Sequence, residues 1–267
     1  PSGCRFASQR RGRVSNFSLK GIPKLCGINC EKSELMHRCL RRGYFMKSFR
    51  LDNPRKRIEC VDILLVTVTK VEAMALLDVV NENVGEAETV FDGEQVYYNL
   101  GQIGGAQVYM VRSEMGSSGP SGSTMTVSEA IDKLLPSVVI MVGIAFGINS
   151  DKQHIGDVLV ATHICGYELQ RVGTKADGSL SIIPRGGHVP ASTTLLSRFR
   201  HAELWWDRSK LRFGVLFSGE KLIDNVDFRD QLLNLEPEAI GGEMEGVGVY
   251  SAAGRKGVDW ILVKAIC

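Results

Sequence analysis

Along residues 61–267 the apolar positions fall into two kinds of run. Val61–Val68 (VDILLVTV) is almost continuously aliphatic and β-branched, the pattern of a strand buried on both faces. Ala73, Leu76, Leu77 and Val80 then recur at helical spacing within Val71–Asn81. A further apolar run, Val108–Val111, precedes a Gly/Ser-rich stretch at 116–123 and a helix reaching Leu135. Ser137–Val142 (SVVIMV), Asp157–Ile164 (DVLVATHI), Leu211–Phe217 and Trp260–Ile266 (WILVKAI) read as more buried strands, and Glu243–Lys256 as a helix. Gly101, Gly104 and Gly105 suit a hairpin turn between short strands. Buried strands alternating with helices predict an α/β fold, a three-layer sandwich around a central mixed, mostly parallel sheet. Ligands in such folds sit at the carboxyl ends of strands, so the loops after 68, 112, 142 and 217 are expected to converge. The GxGxxG dinucleotide fingerprint and the P-loop pattern are both absent.

Residues 1–57 break this pattern. They hold 15 Lys and Arg against 3 Asp and Glu, whereas 58–267 holds 17 against 27, so the small net charge of +2 hides two pieces of opposite balance. The fold is therefore expected in 58–267, with 1–57 a basic, disordered or non-native leader. A transit peptide, or a nucleic-acid-binding arm on Arg10, Arg11, Arg13, Arg41 and Arg42, are the alternatives. The leader lacks the aromatic and basic interleaving of an RNA module. Seven cysteines, at 4, 26, 30, 39, 60, 165 and 267, are irregularly spaced and do not form a disulfide framework. A reducing, cytoplasmic setting is expected, with organelle targeting by the leader as the alternative. Cys26, Cys30, His37 and Cys39 lack the paired short spacings of a zinc module, and no metal is expected. No apolar run approaches the roughly 18 residues of a membrane-spanning helix, so no membrane partner is expected.

Four segments, in order, resemble the nucleoside phosphorylase superfamily, most closely its methylthioadenosine/S-adenosylhomocysteine nucleosidase branch. They are VTVTKVEA at 66–73, VGIAFGI at 142–148 with IGDVLVAT at 155–162, FSGEKLIDN at 217–225, and GGEMEG through VKAIC at 241–267. The resemblance implies that Met244 packs on a ribose and that Glu245 accepts hydrogen bonds from its hydroxyls. A carboxylate there would stabilise the positive charge that grows on the sugar. An acid capping a helix N-terminus is the simpler account of the same residues. Glu72 stands where such nucleosidases orient the attacking water, although a solvated first-turn acid is again simpler. Ser113 is placed near that water and the ribose. Ser218 opens the base pocket, Leu222 and Ile223 pack on the purine, and Ala145 and Phe146 line the opposite wall. Phe146 replaces a usually small residue, and core packing would equally explain these apolar positions.

Phosphorylases of this superfamily bind phosphate with an Arg and a Ser at the positions of Met141 and Ile144, both apolar here. Hydrolysis of an adenine nucleoside, without cofactor, is the expected reaction. The general acid in the family is an Asp one residue beyond the position of Cys267, and this chain stops there, so a fragment or an inactive domain is expected. ATP cleavage by an immune-receptor effector, phosphorolysis, and a catalytically dead nucleoside-binding module remain alternatives. Arg112 and Lys264 are possible anion contacts. The resemblance also implies a homo-oligomer and a small purine nucleoside or nucleotide as ligand.

Overall fold

A computed structural model describes residues 61–267. The leader readings above, with its Arg and Cys/His groups, lie outside the described residues. Twelve strands and five helices follow in order: β1 (Ile63–Thr67), α1 (Lys70–Asn83), β2 (Glu88–Asp92), β3 (Gln95–Ile103), β4 (Ala106–Arg112), α2 (Ser123–Leu134), β5 (Val138–Gly147) and β6 (Val158–Gly166). Then come β7 (Gln170–Thr174), β8 (Leu180–Pro184), β9 (His188–Pro190), α3 (Thr193–Glu203), β10 (Leu211–Ser218), α4 (Val226–Leu235), β11 (Ala239–Glu243), α5 (Gly246–Lys256) and β12 (Asp259–Ile266).

The main sheet runs β11-β10-β6-β12-β5-β1-β4-β3-β2, with β9 added beside β6. β1 pairs in parallel with β4 and β5, and β5 in parallel with β12, which puts four strand ends on one side. Successive β1 residues face opposite layers. Leu64 and Val66 enter the main core with Val127 and Ile131 of α2 and Val249 and Ala253 of α5. Ile63 and Leu65 instead meet Ala73, Leu76, Leu77 and Val80 of α1. That two-sided burial explains the continuous apolar spelling of 61–68.

The expected three-layer sandwich needs one correction. β11 also pairs antiparallel with the far end of β5, Gly241 opposite Gly147 and Gly242 opposite Phe146, so β5, β12, β6, β10 and β11 close into a barrel-like ring. β5 can serve two neighbours because it extends to Gly147, five residues past the expected end at Val142. The sheet is mixed, with antiparallel pairs at β2–β3, β3–β4, β6–β12 and β5–β11. Outside it, β7 and β8 form a separate two-stranded hairpin.

Candidate active site

Thr69 caps α1 and fixes its entry into the site. Its side chain accepts from the Glu72 N–H, and Glu72 reaches back to the Thr69 N–H, a reciprocal capping box. One Glu72 oxygen accepts from the amides of Val68 (3.0 Å) and Thr69 (2.6 Å). The other accepts from the amide of Ile144 at 2.8 Å, across the gap to β5. Glu72 is therefore both a capping acid and a carboxylate carried to Ile144 within β5. Gly143 makes this approach possible: a Cβ there would collide with the Glu72 carboxylate and lie 3.3 Å from Lys264 Nζ.

Lys264 reaches the same place from β12, where it is in register with Gly143. It is 1% exposed, and its ammonium lies 3.3 Å from Glu243 and 3.4 Å from Glu245. Burial alone would lower its pKa. Glu243, Glu245 and Glu72 outweigh that and hold the ammonium above the ordinary lysine value.

The two acids of the Glu243-Met244-Glu245 segment divide the work. Glu243, 4% exposed, accepts from the amides of Glu245 (3.0 Å) and Gly246 (3.0 and 2.9 Å), satisfying the open donors at the start of α5. Glu245 makes no side-chain cap. One of its oxygens faces Lys264 and the other accepts from the Gly116 amide at 3.1 Å. Burial pushes the Glu245 carboxyl above the ordinary glutamate range, with Glu243 adding to this. Lys264 and the Gly116 N–H offset it only in part.

The Gly/Ser-rich segment after β4 wraps this cluster. Ser123 Oγ donates to the Glu245 carbonyl at 2.8 Å and Ser117 Oγ to the Met244 carbonyl at 3.2 Å. The Ser113 amide donates to Thr67 O, and Ser113 Oγ is buried without a hydrogen-bond partner among the described residues. On the far side, Ser218 Oγ accepts from the Val247 amide at 2.9 Å, fastening the end of β10 to α5. The segment that follows borders a cavity of about 390 Å³ lined by Lys221 to Asn225, Phe228 and Gln231. Leu222 is 79% exposed at its rim, and Ile223 is half-buried with Phe228.

The family model of the phosphorylase superfamily matches residues 62–267. The chain belongs to the phosphorylase superfamily. It is 24% identical over 229 residues to a death domain-containing ATP nucleosidase of Amphimedon queenslandica, covering 77% of this chain and 43% of that protein. It thus spans less than half the length of that relative. A 5′-methylthioadenosine/S-adenosylhomocysteine nucleosidase of Staphylococcus epidermidis is 26% identical over 172 residues, 64% of this chain and 72% of its own. Among solved structures, the S-adenosylhomocysteine nucleosidase of Streptococcus pyogenes, in complex with 5-methylthiotubericidin, aligns with a TM-score of 0.63 at 21% identity, over 78% of this chain and 84% of that one. Futalosine hydrolase of Helicobacter pylori aligns with a TM-score of 0.63 at 21% identity, over 77% and 84%. These structural matches establish a shared fold.

Within this phosphorylase-superfamily fold, Glu72 and Glu245 come together around Lys264, Ser113 is bonded to Thr67 at the end of β1, and Met244 precedes Glu245 after β11. Two expectations need correction. Lys264 is not open to an outside anion, because it is enclosed and already neutralised by Glu243 and Glu245. The Ala145 side chain is 4% exposed in the main core and does not line a wall; its carbonyl accepts from the Cys267 amide at 3.3 Å. Phe146 packs over Gly242 in a smaller core with Tyr167 and Phe217. Arg112 is exposed at the end of β4. Met141 is fully buried, and the Ile144 amide is occupied by Glu72. Sequence reasoning missed Gly116, Gly143 and Glu220, whose parts are visible only once distant loops meet. Gly116, in the loop after β4, and Gly143, inside the apolar β5 run, were the available signals. Among the described residues no group of three His, Cys, Asp or Glu is arranged to hold a metal ion, and no helix is long and apolar enough to cross a membrane.

Proposed function

We propose that this chain hydrolyses the N-glycosidic bond of an adenine nucleoside. The observation that carries the reading is the convergence of Glu72 and Glu245 on the buried Lys264, beside Gly143 of β5. Glu245 accepts from the ribose hydroxyls, and its negative charge favours the oxocarbenium-like sugar formed as the bond stretches. Met244 packs against the ribose. Glu72 orients water and takes its proton. Ser113, a buried hydroxyl, serves the same water or a sugar hydroxyl. Ser218, Leu222, Ile223 and Phe146 frame the purine. The proton for the purine is the part of a general acid, which the family resemblance gives to an Asp and to none of the residues named above. Water is preferred to phosphate because Met141 and Ile144 offer no cation or hydroxyl.

The similarity to the ATP nucleosidase of Amphimedon queenslandica supports a second reading, removal of adenine from ATP, with exposed Arg112 as a phosphate contact. A homo-oligomer in a reducing cytoplasmic setting fits both readings; the fold is shared with nucleosidases, and the cysteines are irregularly spaced. Base release by the full-length protein separates the alternatives. Adenosine, 5′-methylthioadenosine, S-adenosylhomocysteine and ATP are each incubated with and without inorganic phosphate. Adenine released from a nucleoside without phosphate is the expected result. Release from ATP alone selects the second reading, and a strict phosphate requirement makes the protein a phosphorylase. No adenine from any of them overturns the enzyme reading and leaves a nucleoside-binding module.

A further inference from the structure

Glu220 follows β10 on the base side of the site, yet its carboxylate crosses to the ribose-side loop. It accepts from the Ser117 amide with both oxygens, at 3.1 and 3.2 Å, and from Ser118 Oγ at 3.4 Å. The adjacent Gly116 amide makes the 3.1 Å hydrogen bond to Glu245. Gly116 has φ +90°, and a Cβ there would press on Glu220 Oε2 at 2.6 Å, so the loop is shaped to take this carboxylate. Glu220 is itself held from behind. Its amide donates to Glu168 Oε1 at 3.1 Å, Glu168 pairs with Lys221, and the Tyr167 hydroxyl donates to the Lys221 carbonyl. The Gly219 amide donates to the Glu243 carbonyl at 3.2 Å.

We propose that Glu220 is a positioning residue: by clamping the Ser117 amide it holds the neighbouring Gly116 N–H on Glu245, and so sets the ionisation and aim of the ribose-binding carboxylate. Nothing in the resemblance assigned a role to this side chain. The inference rests on the reading of Glu245 as the ribose acceptor, but the coupling itself is a property of the folded chain. The charged groups facing Glu245 are Lys264 from β12, Glu243 from β11 and, across the Gly116–Ser117 peptide, Glu220 itself, whose charge the alanine and glutamine variants remove alike; Glu72 acts on Lys264 from α1. Against these, the Gly116 N–H favours the carboxylate form. Its loss moves the Glu245 titration to higher pH, and a smaller fraction of the protein then carries the charge that the sugar needs.

The full chain, labelled with carbon-13 at glutamate carboxyls and assigned with Glu245→Gln, gives the Glu245 midpoint directly by NMR. Amide exchange on the same sample gives the protection of Gly116 and Ser117. Glu220→Ala is expected to raise the Glu245 midpoint and to cut protection of the two amides about tenfold, the worth of one net hydrogen bond. Glu220→Gln, which keeps one acceptor oxygen for Ser117, is expected to restore most of both. Glu220 is exposed, so folding is expected to survive; Glu220→Ser replaces the alanine variant if it does not. An unchanged Glu245 midpoint in the alanine or serine variant overturns the proposal. A lower melting temperature with that midpoint unmoved also overturns it, because the clamp would then be merely structural. Adenine release measured alongside separates this result from the fate of the hydrolase reading, since the titration needs no turnover.

Discussion

Lys264 has two carboxylates within 3.4 Å and feels a third, Glu72, through space. An ammonium so enclosed is costly to bury, and it persists because removing it would strand the acids around it. Lys264→Met is therefore expected to cost about 3–5 kcal/mol in urea unfolding at neutral pH, far more than loss of an exposed charge. The folded-state value of Lys264 is raised, so its contribution is fully present below the ordinary lysine pKa and is lost as pH rises through the folded value. The penalty of Lys264→Met should shrink only at strongly alkaline pH. Glu72 makes a different prediction. Its three amide contacts are backbone donors, and a Gln can still accept from Val68 and Thr69 through its carbonyl, although its NH2 cannot accept from Ile144. Glu72→Gln is expected to stay folded yet lose about 10²–10⁴-fold in kcat, the usual worth of a general base. A loss in KM alone, with kcat intact, would remove Glu72 from the chemistry. At this scale the sequence was partly legible. Glu72, Met244 and Glu245 stood out through the resemblance of VTVTKVEA and GGEMEG, since an acid at a helix start has by itself an ordinary structural reason to be there. Lys264 was misread because nothing in VKAIC tells a buried cation from a solvated one. Glu220 was passed over as part of the turn after Ser218, its partner lying 103 residues away.

Elements bring these side chains together through register. The parallel pairing of β12 with β5 sets Lys264 opposite Gly143, and Gly143 leaves room for both Glu72 and the ammonium. Gly143→Ala is expected to push the Glu72 carboxylate off the Ile144 amide. Overpacking of this kind costs about 1–3 kcal/mol of stability, together with most of the activity. Activity that survives at wild-type level would show that Glu72 need not reach β5. The long apolar strands β1, β5, β6, β10 and β12 were readable because burial on both faces forces an aliphatic spelling. β11 was not, since Ala239–Glu243 contains two glycines and follows no period. Its second pairing, with Phe146 and Gly147, is what turns part of the expected sandwich sheet into a closed ring. The β7–β8 hairpin escaped notice for the opposite reason: Val172, Leu180, Ile182 and Ile183 are exposed, so its apolar residues mark no core.

On the scale of the whole molecule, closure of the ring fixes β11 against β5 and so holds the Glu243-Met244-Glu245 segment beside the Glu72–Ile144 contact. Glu72, in the first turn of α1, and Glu245, at the start of α5, are thus both held against the sheet close to Lys264. That arrangement suits a reaction in which water replaces the base at the anomeric carbon. The most direct test is hydrolysis of adenosine by the full-length protein in heavy-oxygen water, with the sugar product analysed by mass spectrometry. Free ribose carrying one solvent oxygen, formed without phosphate and lost in Glu245→Gln, is the expected result. Ribose 1-phosphate, or no release of base under any condition, would contradict the account.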